Sequence, residues 1–210
     1  MSSPERAFSA RHVQLLRALF AAVAALMITF SADHSAGVGL SVFSGFALVT
    51  ALVLVLGAWL AVPAGKRMPL ILLAVVDGIA GMVAGVPVWR TDDVFFVTVV
   101  TWALLSGALE ILFAVRARRA ADADVTARDG FISGGLGVLL GIALLLIPAG
   151  FAVDYTVEGA GSYTLTGIIL GVGMLGGYAC LLAVHLGIAG FSPRPAVAAS
   201  VDAEPAGGAA

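Results

Sequence analysis

Residues 35–65 read SAGVGLSVFSGFALVTALVLVLGAWLAVPAG, thirty-one positions without an Asp, Glu, Lys or Arg. A helix needs about 20 apolar residues to cross the hydrocarbon of a bilayer, so this run is long enough to span one and leave residues over. Its Gly37, Gly39 and Gly45 predict an interfacial turn before the helix settles. Measured the same way, the chain offers six spans, at residues 13–30, 40–62, 68–88, 94–115, 131–151 and 164–190. Strands are not expected in these runs, which show no period-2 alternation and exceed the roughly 10 residues of a barrel strand. Pro63, Pro87 and Pro148 lie near the ends of spans two, three and five, where proline ends a helix at little cost. The expected fold class is therefore all-α, a polytopic membrane protein of six transmembrane helices.

Composition agrees. Of 210 residues, 60% are apolar and 11% charged, against about 25% charged in an ordinary soluble domain. The mean hydropathy is +1.07. A soluble chain of this size has too much surface to hide that much apolar area, which excludes a soluble enzyme and a disordered chain. A net charge of −2 provides no basic footprint for phosphates, so no nucleic-acid partner is expected. The single cysteine, Cys180, excludes an intrachain disulfide framework and a thiolate metal cluster.

Basic residues set the expected orientation. With the N-terminus cytoplasmic, Arg6, Arg11, Arg17, Lys66, Arg67, Arg116, Arg118, Arg119, Arg128 and Arg194 fall on the inner side and only Arg90 on the outer. Positive charge is retained inside, so both termini are expected in the cytoplasm. The outer side then carries Asp33, Asp92, Asp93, Asp154 and Glu158 against that one arginine. The expected organisation is a cytoplasmic N-terminal segment at 1–12, a membrane domain at 13–191 and a disordered cytoplasmic tail at 192–210, rich in Pro, Ala and Gly. The first span is read as retained, because it is longer than the 7–15 residues of a signal-peptide core and no A-x-A site follows it.

The spans repeat. Asp77-Gly-Ile-Ala-Gly81-Met-Val-Ala-Gly85 and Ser133-Gly-Gly-Leu-Gly137-Val-Leu-Leu-Gly141 both place G-x-x-G-x-x-x-G after a polar residue, and each is followed by a proline. Spans four and six align with Gly107 on Gly176 and Arg116 on His185. Hairpins three–four and five–six thus read as copies of one unit, with the first two spans as a diverged third copy. The glycines are read as close packing within the bundle, since small residues let helices approach in lipid.

These residues carry a resemblance. The run Trp102-Ala-Leu-Leu-Ser-Gly107-Ala-Leu-Glu110-Ile-Leu-Phe-Ala-Val-Arg116-Ala-Arg118-Arg119 resembles the repeated helix end of the HdeD-like acid-resistance membrane family. Residues 133–148, with Gly134, Gly137, Gly141 and Pro148, resemble that family's glycine-rich opening helix. The resemblance covers about residues 40–190 and implies a bacterial inner-membrane protein connected with acid stress in some members. It supplies no mechanism and no catalytic residue. His185 stands where span four has Arg116, and the first repeat departs from the pattern.

Four polar residues inside the spans are the candidate sites: Asp77, Glu110, Arg17 and His185. Asp77 lies nine residues from the start of its span, hence about 13 Å deep. It reads either as a proton or ion site, the default for an intramembrane carboxyl, or as a helix–helix hydrogen bond, which the matching Ser133 favours. Glu110 sits six residues before Arg116 and Arg17 six residues after Arg11, so the two share a depth and are expected to pair if spans one and four touch. His185 is read as a marker of the headgroup boundary, because it has no second histidine at i+3 or i+4 to share a metal. Asp122, Asp124 and Asp129 read as a solvated run in a basic loop, and Trp59, Trp89 and Trp102 as interfacial aromatics. No nucleophile elbow, zinc motif or phosphate loop is present, so no cofactor, no metal and no enzymatic activity are expected. The preferred class is a non-enzymatic protein associated with acid or envelope stress, whose partners are the lipid bilayer and a further copy or another membrane protein. The alternative is a small transporter or channel for protons or weak-acid solutes, with Asp77 and Glu110 as its handles.

Overall fold

The computed structural model describes residues 8–119, 125–148, 150–159 and 161–192. Six helices follow one another: α1 (Ala10–Thr29), α2 (Ala36–Leu60), α3 (Met68–Gly85), α4 (Asp92–Arg119), α5 (Val125–Leu145) and α6 (Gly167–Phe191). All six contain windows long and apolar enough to cross a membrane. Leu19, Leu52, Ile79, Leu105, Leu139 and Leu181, one from each helix, are all more than half exposed. Aliphatic side chains turned outward on every helix form a surface suited to lipid and not to water. The chain has an all-α, multi-pass membrane architecture.

The helices pack as a closed ring. Each contacts its neighbours in sequence, and α6 closes the ring against α1. Extensive and slighter interfaces alternate around it: α2 with α3, α4 with α5 and α6 with α1 pack most closely. Hence the close pairs are not the three–four and five–six hairpins legible as sequence repeats, but the pairs offset from them by one helix. Glycine explains the choice. A Cβ on Gly81 would lie 2.8 Å from Leu48 Cγ, on Gly107 2.6 Å from the Gly134 carbonyl oxygen, and on Gly176 2.7 Å from Ile28 Cγ2. Each close interface is held at a distance that a side chain would prevent. At the centre, Trp102 of α4 meets Phe43 and Phe46 of α2 and Tyr178 of α6 edge to face, at centroid distances of 4.9, 6.0 and 5.7 Å.

Two expectations need correction, and the proline boundaries are met. Gly37, Gly39 and Gly45 make no turn: α2 is already helical from Ala36, with the Ser35 hydroxyl accepting from the Val38 amide at 3.5 Å. Gly39 is instead a contact, since a Cβ there would meet Val172 and Phe95. Helices α2, α3 and α5 end two or three residues before Pro63, Pro87 and Pro148, because the residue preceding a proline is pushed out of helical geometry. Between α5 and α6, at the end of the bundle opposite the termini, the chain forms an antiparallel hairpin of β1 (Ala152–Val157) and β2 (Gly161–Thr166). Gly159 and Gly161, with φ of 82° and 104°, supply the left-handed backbone its turn requires. The expected disordered tail lies outside the described residues from 193 onward.

Candidate functional site

One polar cluster lies inside the ring, and all six helices contribute to it. Arg17 of α1, Thr50 of α2, Asp77 of α3, Ser106 and Glu110 of α4, Ser133 of α5 and Tyr178 of α6 line a cavity of about 10 Å³. That is about the least space that one ordered water can occupy.

Equal depth brings Arg17 and Glu110 together as the spacing predicts. The Arg17 Nη2 donates to Glu110 Oε1 at 2.7 Å, with the side chains 17% and 10% exposed. They meet although α1 and α4 are not ring neighbours, because both side chains are long enough to reach inward to the same cavity. Asp77 and Tyr178 line the same cavity as Arg17. Asp77 is buried, and the Trp102 indole Nε1 donates to its Oδ1 at 2.5 Å. This is a helix–helix hydrogen bond between α3 and α4, the structural arrangement that the match with Ser133 favoured. One guanidinium thus shares the cavity wall with two carboxyl groups.

The serines around the cavity are satisfied locally. Ser106 Oγ donates to the Trp102 carbonyl at 2.7 Å, and Ser133 Oγ to the Asp129 carbonyl at 3.0 Å. Such back-bonding along a helix removes a hydroxyl from the competition for partners. Two buried atoms on the cavity wall, Thr50 Oγ1 and Arg17 Nε, have no hydrogen-bond partner among the described residues.

His185 does not join this cluster. Its Nε2 lies 3.3 Å from the Asp129 carbonyl oxygen, while the Asp129 carboxylate accepts from Gln14 Nε2 at 2.8 Å. Asp129 is therefore held by α1 and α6 and not merely solvated; Asp122 and Asp124 lie outside the described residues. Polar contacts form a column from this layer, near the termini, through Arg17 and Glu110 to Asp77 and Trp102. Beyond Trp102, towards the hairpin, the buried side chains are mostly apolar, among them Ile28, Leu40, Phe43, Phe95 and Val172; Ser44 and Thr98 are buried there too, and Ser44 Oγ donates to the Gly81 carbonyl at 2.8 Å.

Trp102 is the principal surprise. Trp59 and Trp89 are more than half exposed, as interfacial aromatics should be, but Trp102 is 4% exposed and holds Asp77. The spacing Trp102, Ser106, Glu110 was the available signal, since residues four apart share a helix face. Thr50 and Tyr178 had no such signal within their apolar surroundings. Among the described residues no three His, Cys, Asp or Glu side chains gather where a metal would sit. No family model, curated protein or solved structure matches the chain.

Proposed function

We propose that the protein is a non-enzymatic component of a bacterial plasma membrane, with both termini cytoplasmic, that supports the cell envelope under acid stress. The observation that carries this reading is the packed interior: the column of polar contacts around Arg17, Glu110 and Asp77 reaches Trp102, its cavity holds no more than about one water, and the space beyond is filled mainly by buried aliphatic and aromatic side chains. This packing supports a bundle that does not conduct solutes. Both intramembrane carboxyls are also engaged in helix–helix contacts, Glu110 with Arg17 and Asp77 with Trp102. The ten basic residues on the side of the termini support the orientation, and the resemblance of residues 102–119 and 133–148 supports the link to acid.

A second reading, proton transfer, has its own support: two carboxyl groups on one cavity wall, with Thr50 Oγ1 and Arg17 Nε beside them and without a hydrogen-bond partner among the described residues. One substitution separates the two. Asp77→Asn keeps an oxygen to accept from Trp102 and removes the exchangeable proton. Under the first reading the variant protects a deletion strain in acid as well as the parent does, and proteoliposomes of either protein pass protons no faster than empty vesicles. A proton flux in the parent that Asp77→Asn abolishes would replace the first reading with the second.

A further inference from the structure

The hairpin between α5 and α6 has two chemically different faces. Its register pairs Val153 with Leu165, Tyr155 with Tyr163 and Val157 with Gly161, and between them Ala152 with Thr166, Asp154 with Thr164 and Thr156 with Ser162. Alternation along each strand places the first set on one side and the second on the other. The polar side satisfies itself: Thr164 Oγ1 donates to Asp154 Oδ1 at 2.6 Å, and the Thr156 and Ser162 hydroxyls bond at 3.0 Å. On the apolar side Tyr155 and Tyr163 stack at 5.8 Å, yet Val153, Tyr155, Val157 and Tyr163 each remain more than two-fifths exposed. A two-stranded ribbon is at best marginally stable in water and needs its apolar face covered.

We infer that this ribbon lies flat on the bilayer surface, with Val153, Tyr155, Val157, Tyr163 and Leu165 seated in the headgroup layer of the leaflet opposite the termini. Position supports lipid as the occupant. The Gly167 amide donates to the Phe151 carbonyl at 3.0 Å, which closes the base of the ribbon where α6 enters the membrane. No linker separates β2 from α6 that would carry the ribbon away. Phe151 also lines an apolar groove of about 300 Å³ with Leu146, Ile147, Pro148, Leu170 and Met174, so lipid-facing surface continues up to the first strand. Tyrosine suits this level, having an apolar ring and a polar tip. Asp154 and Glu158 stay in water, one on the polar face and one at the turn.

Geometry makes the inference testable. An upright ribbon of six-residue strands would lift its tip about 20 Å, whereas each headgroup layer is only about 5–8 Å deep. Single cysteines at Val153, Val157 and Leu165, and at Thr156, Ser162 and Thr164, are introduced into the full chain with Cys180→Ser. They are labelled with a small fluorophore in nanodiscs of phosphatidylethanolamine and phosphatidylglycerol. Lipids spin-labelled at the headgroup should quench the first set several-fold more than the second, with Val157 at the tip quenched as strongly as Val153 at the base. Aqueous iodide should show the reverse. Quenching that decays from base to tip equally on both faces would mean an upright ribbon and overturn the inference. Shielding of the apolar set from both quenchers, with disulfide crosslinking of Tyr155→Cys between copies, would put a second chain on that face and overturn it too.

Discussion

Removing either partner of the Arg17–Glu110 pair tests whether the polar cluster holds the bundle together. At 2.7 Å, two unit charges in an effective dielectric of about 20 attract by about 6 kcal/mol. Desolvating both groups offsets much of that, and truncating one partner of a buried pair typically costs about 3–5 kcal/mol. Intramembrane polar contacts measure lower, up to about 1.7 kcal/mol, because the unfolded chain in lipid finds other partners. The two losses should differ. Glu110→Gln removes the carboxylate that contacts a guanidinium unable to release its proton, leaving only Asp77, the second carboxyl on the cavity wall, and should cost about 3 kcal/mol. Arg17→Met strands a carboxylate that can neutralise itself by taking up a proton, and should cost about 2 kcal/mol. The double variant leaves no orphan charge, so its loss should fall at least about 1 kcal/mol short of the sum. Unfolding in mixed detergent micelles with a rising fraction of sodium dodecyl sulfate, followed by tryptophan fluorescence, measures all four corners of the cycle. Losses that add within about 0.5 kcal/mol would show that the pair contributes nothing as a pair. A larger loss from Arg17→Met than from Glu110→Gln would refute the reasoning on charge.

Two further outcomes follow from the packing and the charge distribution. Gly107→Ala would place a Cβ against the backbone of Gly134 and Val138 at 2.6 and 2.8 Å, and should destabilise the protein by about 1–3 kcal/mol. Gly177→Ala meets nothing within 4 Å, and should be neutral or stabilising by up to about 1 kcal/mol through helix propensity; equal effects in the same unfolding assay would refute glycine-controlled approach. For orientation, a cysteine replacing Asp93 in the Cys180→Ser background should react with an impermeant thiol reagent in intact spheroplasts, whereas one replacing Lys66 should react only after permeabilisation. The opposite pattern would place the termini outside.

The number of helices was legible because bilayer thickness imposes a minimum length on every span, and charges interrupt this chain often enough to separate six. Depth was legible as well: counting residues from Arg11 and Arg116 put Arg17 and Glu110 at one level, where the structure joins them. Rotation about each helix axis was not. These spans are apolar nearly all round, so no amphipathic stripe distinguishes the face turned inward from the face turned to lipid. Tertiary packing alone decided that Trp102 enters the core to hold Asp77, that Thr50 and Tyr178 join it, and that α6 closes the ring on α1. The hairpin escaped because it falls at a span boundary, where hydropathy merged Thr164, Leu165 and Thr166 into the last helix. Sequence sets what must lie in the membrane, since transfer from water is a property of each segment. Which side chains meet there depends on the fit between surfaces that are equally apolar, and only the folded ring expresses that fit.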